Sequence, residues 1–395
     1  METDYDIIIS GGGVAGLTAA ALFGTAGFKT LCVDPAAPIT DRDTSGADLR
    51  STAFLQPSVQ VLERAGVWHA LAPHATALQT MRIIDADDTG PRKTRDFDAS
   101  DISELPFGWN LPNWVIRREL MARIEALDSV TFLPGVKSEG MLARSTIAKL
   151  RLSNGDSATA KLVVAADGRR SSLRQNAGIG VKTRRYGQKA LAFAVTHETA
   201  HHNISTEVHR TGGPFTLVPL PNFDGKPSSA IVWMEDGATA QALYELDQAT
   251  FNAAMTERSA GVMGPLTLAS QRTIWPIISQ IANRFSSRRL ALVAEAAHVV
   301  PPIGAQGLNM SLADLQTLLD LSGTHGLGSQ AMLDAYNVAR LRQVQLRVAG
   351  IDLLNRTSQS RLDWFREMRS WGIGALHDAT PIRKAVMQLG LGLKS

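Results

Sequence analysis

The sequence predicts an α/β fold on a parallel sheet, interrupted by a mostly antiparallel second sheet and closed by a C-terminal helical region. Three observations predict it. Residues 5–10 form a short β-branched run that meets Gly11, Gly12 and Gly13, after which residues 17–23 take a helical pattern. Three further apolar runs, at 30–33, 162–166 and 290–294, read as buried strands, and each is followed by an acid: Asp34, Asp167 and Glu295. Between about 181 and 276 the texture changes to alternating strand-like segments, which suits an antiparallel sheet. The predicted division is therefore 1–75, 110–180 and 277–330 for the first domain, 76–109 and 181–276 for the second, and 331–395 for the helical region.

The elements follow in chain order. Residues 35–50 are polar and rich in Pro, Gly and Asp, a loop. Val59, Val61, Leu62 and Ala65 space a helix over 57–65, which Gly66 stops. A strand at 81–85 precedes an acidic turn at 87–90, a helix is predicted over 117–127, and a strand over 130–133. Residues 150–160 read as a hairpin turning at Asn154-Gly155-Asp156. Strands at 190–196, 215–220 and 230–233 belong to the second sheet. After the strand at 290–294, a loop over 302–309 leads into a helix from about 311 to 319, and the pattern is nearly all helical from 331 onward.

A chain of 395 residues can bury a large core, and 44% hydrophobic with 19% charged residues is the balance of a globular protein. A net charge of +3 does not imply nucleic acid. The single Cys32 lies in a predicted buried strand, which excludes a disulfide framework and points to a reducing, cytoplasmic location. No run of 18 apolar residues spans a membrane, and the first strand begins too near Met1 for a cleaved signal.

The glycine cluster carries the first chemical signal. Gly11 allows a tight turn, Gly13 lets a pyrophosphate approach the backbone, and Gly16 lets helix and strand pack closely. The helix start around Val14 and Ala15 offers free N–H groups and a partial positive charge to phosphates. Asp34 falls about 20 residues on, where a carboxylate accepts from a ribose hydroxyl. Ligands bind outside the carboxyl ends of parallel strands, so the motifs at the three strand ends are expected to converge on one molecule.

With all three motifs in view, the chain resembles the FAD-dependent aromatic hydroxylases of the para-hydroxybenzoate hydroxylase type, and within them the ubiquinone-biosynthesis hydroxylases. The resemblance covers nearly the whole chain. It implies a Rossmann-like FAD-binding domain of the glutathione-reductase type, an inserted mostly antiparallel β-sheet substrate domain, and a C-terminal helical region. Gly11-x-Gly13-x-x-Gly16 with Asp34 resembles the motif for the ADP half of FAD. Asp167-Gly168 resembles the motif that serves both FAD and the nicotinamide donor, NAD(P)H. Glu295, followed by Pro302, Gly304, Gln306, Gly307, Leu308 and Asn309, resembles the ribityl and isoalloxazine motif. Arg50 resembles the arginine near the pyrophosphate, and Arg117 the residue that reaches FAD from a helix start. One departure is Ala294-Glu295 where the family commonly has Gly-Asp: the carboxylate has a longer stem, and a methyl must fit where glycine is usual.

The implied reaction is ring hydroxylation of a polyprenylated phenol by NAD(P)H and O2 through a flavin C4a-hydroperoxide, with the cofactor carrying the chemistry and no dedicated nucleophile or metal. No catalytic base is assigned. His197, His201 and His202 match no metal spacing and read as a solvated strand end, while His298 reads as packed beneath the loop. The strands containing Phe215 to Leu220 and Val232-Trp233 would floor a pocket over the flavin. Residues 337–384 carry nine Arg or Lys against four acids, interleaved with Leu353, Leu354, Trp364 and Phe365. Such a region suits peripheral contact with an anionic inner membrane or a biosynthetic partner, and equally a solvated face over the core. Two other readings stay open: hydroxylation of a small soluble aromatic, and a flavoprotein scaffold that no longer hydroxylates.

Overall fold

The computed structural model describes residues 3–87, 90–210, 212–359 and 380–391. The acidic turn expected at 87–90 and the basic region expected at 337–384 each lie partly outside the described residues.

Five parallel strands form the central sheet, in the order Leu290–Leu292, Ser157–Ala165, Tyr5–Ser10, Thr30–Asp34, Val130–Pro134. Ile7, Ile8 and Ile9 are wholly buried because both faces of this sheet are covered, the usual state of parallel strands. The helix Val14–Thr25 is buried nearly all round, so its apolar residues show no amphipathic stripe. It packs on the helices Asn113–Glu125 and Gln306–His325.

The hairpin and the separate strand expected at 162–166 are one structure. Ser157–Ala165 is a single strand, pairing antiparallel with Ala148–Leu152 through residues 157–160 and parallel with Tyr5–Ser10 through residues 160–165. Its apolar second half and alternating first half are two environments of one strand, which periodicity splits in two.

The second sheet runs His298–Val299, Thr273–Ala282, Val181–Thr196, Lys226–Asp236, Pro214–Phe223, Ile204–His209, Thr80–Asp87, Gly90–Asp98, and a ninth strand, Thr267–Leu268, pairs antiparallel with Val181–Thr196. All these pairings are antiparallel except Ile204–His209 with Thr80–Asp87. One face buries Leu191, Phe193, Leu217, Ile231 and Trp233 against Phe251 and Met255 of the helix Gln248–Arg258. The opposite face carries Ala190, Met234 and Ile277, with Val232, Trp275 and Ile303 packed beside them.

Two helices start earlier than their sequence suggests. Asn113–Glu125 begins right after Pro112, which caps it, and therefore includes Trp114 in its first turn. Gln306–His325 begins inside the expected loop, because Ala305 takes the left-handed conformation and starts the helix there. The long helix Gln330–Gln359 and the helix Thr380–Leu391 close the chain. No described helix is long and apolar enough to cross a membrane.

Candidate functional site

The glycine turn shows why each residue is small. Gly11 has φ +114, and a Cβ on it would lie 2.3 Å from the Ala166 carbonyl oxygen. A Cβ on Gly16 would lie 1.8 Å from the Gly11 carbonyl oxygen, so the helix can sit this close only on glycine. A Cβ on Gly13 would meet nothing within 4 Å. Gly13 therefore leaves open space in front of the first turn of Val14–Thr25, and no side chain caps that helix. The amides of Val14, Ala15 and Gly16 begin the helix at this opening, an anion site ready-made in backbone.

The parallel register brings the three acids to one edge, since Ser10 pairs with both Val33 and Ala165, and Ala165 with Leu292. Asp34 accepts from the Gly12 amide through one oxygen and from the Ala36 amide at 2.8 Å through the other. Asp167 Oδ2 accepts from the Ser172 amide at 2.9 Å, while its buried Oδ1 has no hydrogen-bond partner. Glu295 is exposed on a single turn of 3-10 helix, Ala294–Ala296. Ala294 adopts φ +54, so the methyl that replaces the usual glycine hydrogen sits in left-handed backbone. Ala294→Gly is expected to raise stability by roughly 0.5–1 kcal/mol, net of the extra freedom of the unfolded chain. A melting temperature that falls would refute the strain.

Arg50 and Arg117 meet on a residue that pattern reading overlooked. Asp48 binds the Arg50 guanidinium at 2.8 Å, takes a hydrogen bond from Asn113 at 2.9 Å and lies 3.4 Å from Arg117. Burial pushes the Asp48 carboxyl up, but the Arg50 hydrogen bonds and charge, Asn113 and Arg117 together hold it below its ordinary 3.8. A depressed carboxylate stabilises above its unfolded value and loses that contribution as pH falls through its folded value. Wild type should therefore outlast Asp48→Asn by about 1 kcal/mol near neutrality. The gap in melting temperature should close below about pH 4. A gap that persists in acid would contradict the ion pair. Arg117 itself lies in the second turn of its helix, not at the start, because that helix begins at Asn113.

The loop that follows the Glu295 turn is held from beneath. His298 is 2% exposed and bonds Asp314 at 2.7 Å; Asp314 also takes Arg340 at 2.7 Å and the Ala294 amide at 3.4 Å. His298 is thus a packed residue, as its sequence context suggests. Gly304 has φ +62 and Ala305 φ +55, and the first turn of Gln306–His325 presents Gln306, Gly307, Leu308 and Asn309. Pro302 and Leu308 are half-buried, whereas Gly304 and Gly307 are exposed. The Gln306 amide bonds Gly304 and Arg347, while Asn309 accepts from Leu55 and donates to Ala53. Asn309 thus ties this loop to the strand Ser51–Leu55, which continues from Arg50.

Comparison with known proteins bears on this edge directly. The family model described as FAD binding domain matches residues 4–350. The chain belongs to that family. Ubiquinone hydroxylase UbiL of Rhodospirillum rubrum is 29% identical over 98% of this chain and 89% of that protein. The 3-demethoxyubiquinol 3-hydroxylase of Escherichia coli is 27% identical over 98% of each. The fold matches the crystal structure of p-nitrophenol 4-monooxygenase PnpA from Pseudomonas putida, with TM-score 0.79 and 18% identity, over 99% of both chains. This flavoprotein is accordingly an FAD-dependent monooxygenase of the aromatic-hydroxylase type. Its own residues fit the cofactor: open space at Gly13 before an uncapped helix, and an unpartnered Asp167 Oδ1 at the same edge.

The second sheet turns its alanine-bearing face toward this edge, where Ile303 and Trp275 both pack against Ala190, Met234 and Ile277, and Arg50 lies 5.5 Å from the Trp275 ring. Val232 and Thr216 share that face as cross-strand partners. Trp233, expected in the pocket floor, is 3% exposed on the opposite face, stacked edge-on to Phe215. Strand alternation sends adjacent residues to opposite sides, so the pair Val232-Trp233 cannot both face the flavin. The histidine expectation also changes. His197 is buried, not solvated, and its ring bonds the Thr199 carbonyl at 2.7 Å and the Ser229 hydroxyl at 2.9 Å. His201 bonds the Leu220 carbonyl. Tyr186 packs against the same Ala190, Met234 and Ile277 cluster as Ile303, with its hydroxyl donating to Asp352, which also takes Arg184 at 2.6 Å. No periodicity marks Tyr186 or Asp352, which lie 166 residues apart in sequence.

Proposed function

We propose that this flavoprotein hydroxylates the ring of a polyprenylated phenol in ubiquinone biosynthesis, taking electrons from NAD(P)H and oxygen from O2. The observation that carries the reading is the half-buried apolar face of Val232, Trp275 and Ile303 beside Ala190, set against the edge where the three acids meet. An apolar ring and tail would desolvate favourably there. A small aromatic acid would need a free cation, and Arg50, 5.5 Å from the Trp275 ring, is committed to Asp48. The names of the two curated relatives support the same substrate class.

In this reading 1–75, 110–180 and 277–330 hold FAD, while 76–109 and 181–276 hold the substrate. Gly11, Gly13, Val14, Ala15 and Gly16 take the pyrophosphate, Asp34 the ribose, and Arg50 and Arg117 approach from the loop side. Asp167 and Glu295 accept hydroxyls, and Pro302, Gly304, Gln306, Gly307, Leu308 and Asn309 border the ring. Bound FAD supplies the oxygen chemistry. The protein's part is orientation, exclusion of water and a helix start at Gln306 that favours negative charge on the ring system. Tyr186 and Asp352 supply a pair able to hold a proton at the substrate hydroxyl.

The test uses holoenzyme, NADPH and O2 with a prenylated phenol and a hydrophilic phenol in parallel, and mass spectrometry of the products. Addition of one oxygen atom to the prenylated ring is expected. Strong turnover of the hydrophilic phenol with none of the prenylated one would sink the proposal.

A further inference from the structure

The long helix Gln330–Gln359 has an inner and an outer face with different chemistry. Its inner face seats on the site: Arg347 bonds Gln306 at 2.6 Å, Asp352 takes the Tyr186 hydroxyl, and Asn355 donates to Gln188 at 3.3 Å. Its outer face leaves Val338, Leu346 and Leu353 at 70%, 68% and 64% exposed, the most exposed large aliphatic side chains among the described residues. At 100° per residue these three fall within an arc of about 80°, together with Arg342 and Ala349, both exposed. A water-facing helix in a globular protein ordinarily places charges there, so three large aliphatics in one row call for an occupant.

Charge identifies the occupant. Arg342 lies within the row. At its C-terminal end the Arg184–Asp352 ion pair fastens the strand Val181–Thr196 beside the helix, and Lys182, Arg184 and Arg185 on that strand are exposed. Asp352, the acid nearest Leu353 in sequence, is neutralised by Arg184. With Arg184 and Asp352 cancelling, Lys182, Arg185 and Arg342 outnumber the one exposed acid beside the row, Asp334 one turn before Val338; aliphatics flanked by such a cationic excess match the surface of an anionic bilayer, which takes apolar side chains at the headgroup boundary and attracts Lys and Arg.

We infer that the outer face of this helix docks on an anionic lipid surface, which sets the pocket behind its inner face next to the bilayer. The inference rests on the proposed substrate only for its purpose, since a prenyl tail resides in lipid; the docking itself stands or falls separately.

Holoenzyme is sedimented with vesicles of phosphatidylcholine alone or with one-third phosphatidylglycerol, in low and high salt, for wild type, Leu346→Glu/Leu353→Glu and Arg342→Glu. Wild type is expected to bind the anionic vesicles at least tenfold better than neutral ones, with salt weakening the difference. The double variant should lose at least tenfold in binding while keeping its flavin spectrum and its NADPH oxidation rate in detergent. Wild type that stays in the supernatant, or a double variant that binds as wild type does, would overturn the inference. So would light scattering in which wild type is a dimer and the double variant a monomer, since the face then serves a second copy. Binding without turnover of a prenylated phenol would keep the docking and remove the proposed substrate.

Discussion

Gly13→Asp is expected to weaken FAD binding by about a hundredfold or more while leaving the cofactor-free protein at least as stable. Gly13 is the N-cap of Val14–Thr25, with φ −69 and ψ 175, backbone that any residue adopts. A Cβ there meets nothing, so an aspartate enters without strain and its carboxylate caps a helix start that has no side-chain cap. Aspartate improves on glycine at an N-cap by a few tenths of a kcal/mol. The same carboxylate stands where a pyrophosphate would lie. Two like charges about 4 Å apart near a protein surface cost about 4 kcal/mol, enough for more than a hundredfold in affinity. Melting of the cofactor-free protein and fluorescence titration with FAD read the two effects apart. Undiminished affinity would place the cofactor elsewhere. The comparison substitution is Gly16→Ala, whose methyl would collide with the Gly11 carbonyl and should cost about 3 kcal/mol in stability with or without cofactor.

The second large effect is expected at Asp314. This carboxylate is wholly buried between His298 and Arg340, and no other acid is bonded to either partner among the described residues. Burial pushes its carboxyl up, but the charges of Arg340 and His298 outweigh this and hold it below the ordinary value. Asp314→Ala would leave the Arg340 guanidinium, itself 5% exposed, without its counter-charge, at a cost of about 3–5 kcal/mol. It also removes the acceptor of the Ala294 amide, so the Glu295 turn loosens. Asp314→Asn, which retains a hydrogen-bond acceptor, should lose less stability than the alanine variant. Denaturant unfolding and FAD retention on a desalting column measure both. A variant as stable as wild type would mean that the ion pair carries no net stability.

The triad shows where sequence reading stops. His298, Asp314 and Arg340 lie on a short strand and two helices, and nothing in local periodicity couples them. Asp48 was likewise one acid among several in a polar loop until the fold placed Arg50, Asn113 and Arg117 around it.

Local chemistry made the parallel sheet, the glycine turn and the acids at three strand ends legible, because each rests on neighbours within a few residues. Glycine freedom, β-branched runs and a period of two or 3.6 are properties of short segments. Tertiary structure alone decided the rest. It joined residues 157–165 into one strand, sent Trp233 to the helix-covered face of the second sheet and Val232 to the other, and buried His197. It began a helix at Gln306 inside the expected loop and set aliphatics on the outer face of the helix Gln330–Gln359, whose inner face bonds Gln306 and Tyr186. The physical reason is common to all of these: which face of an element is buried, and which distant charge it meets, depends on what packs against it, and that is fixed by the whole chain.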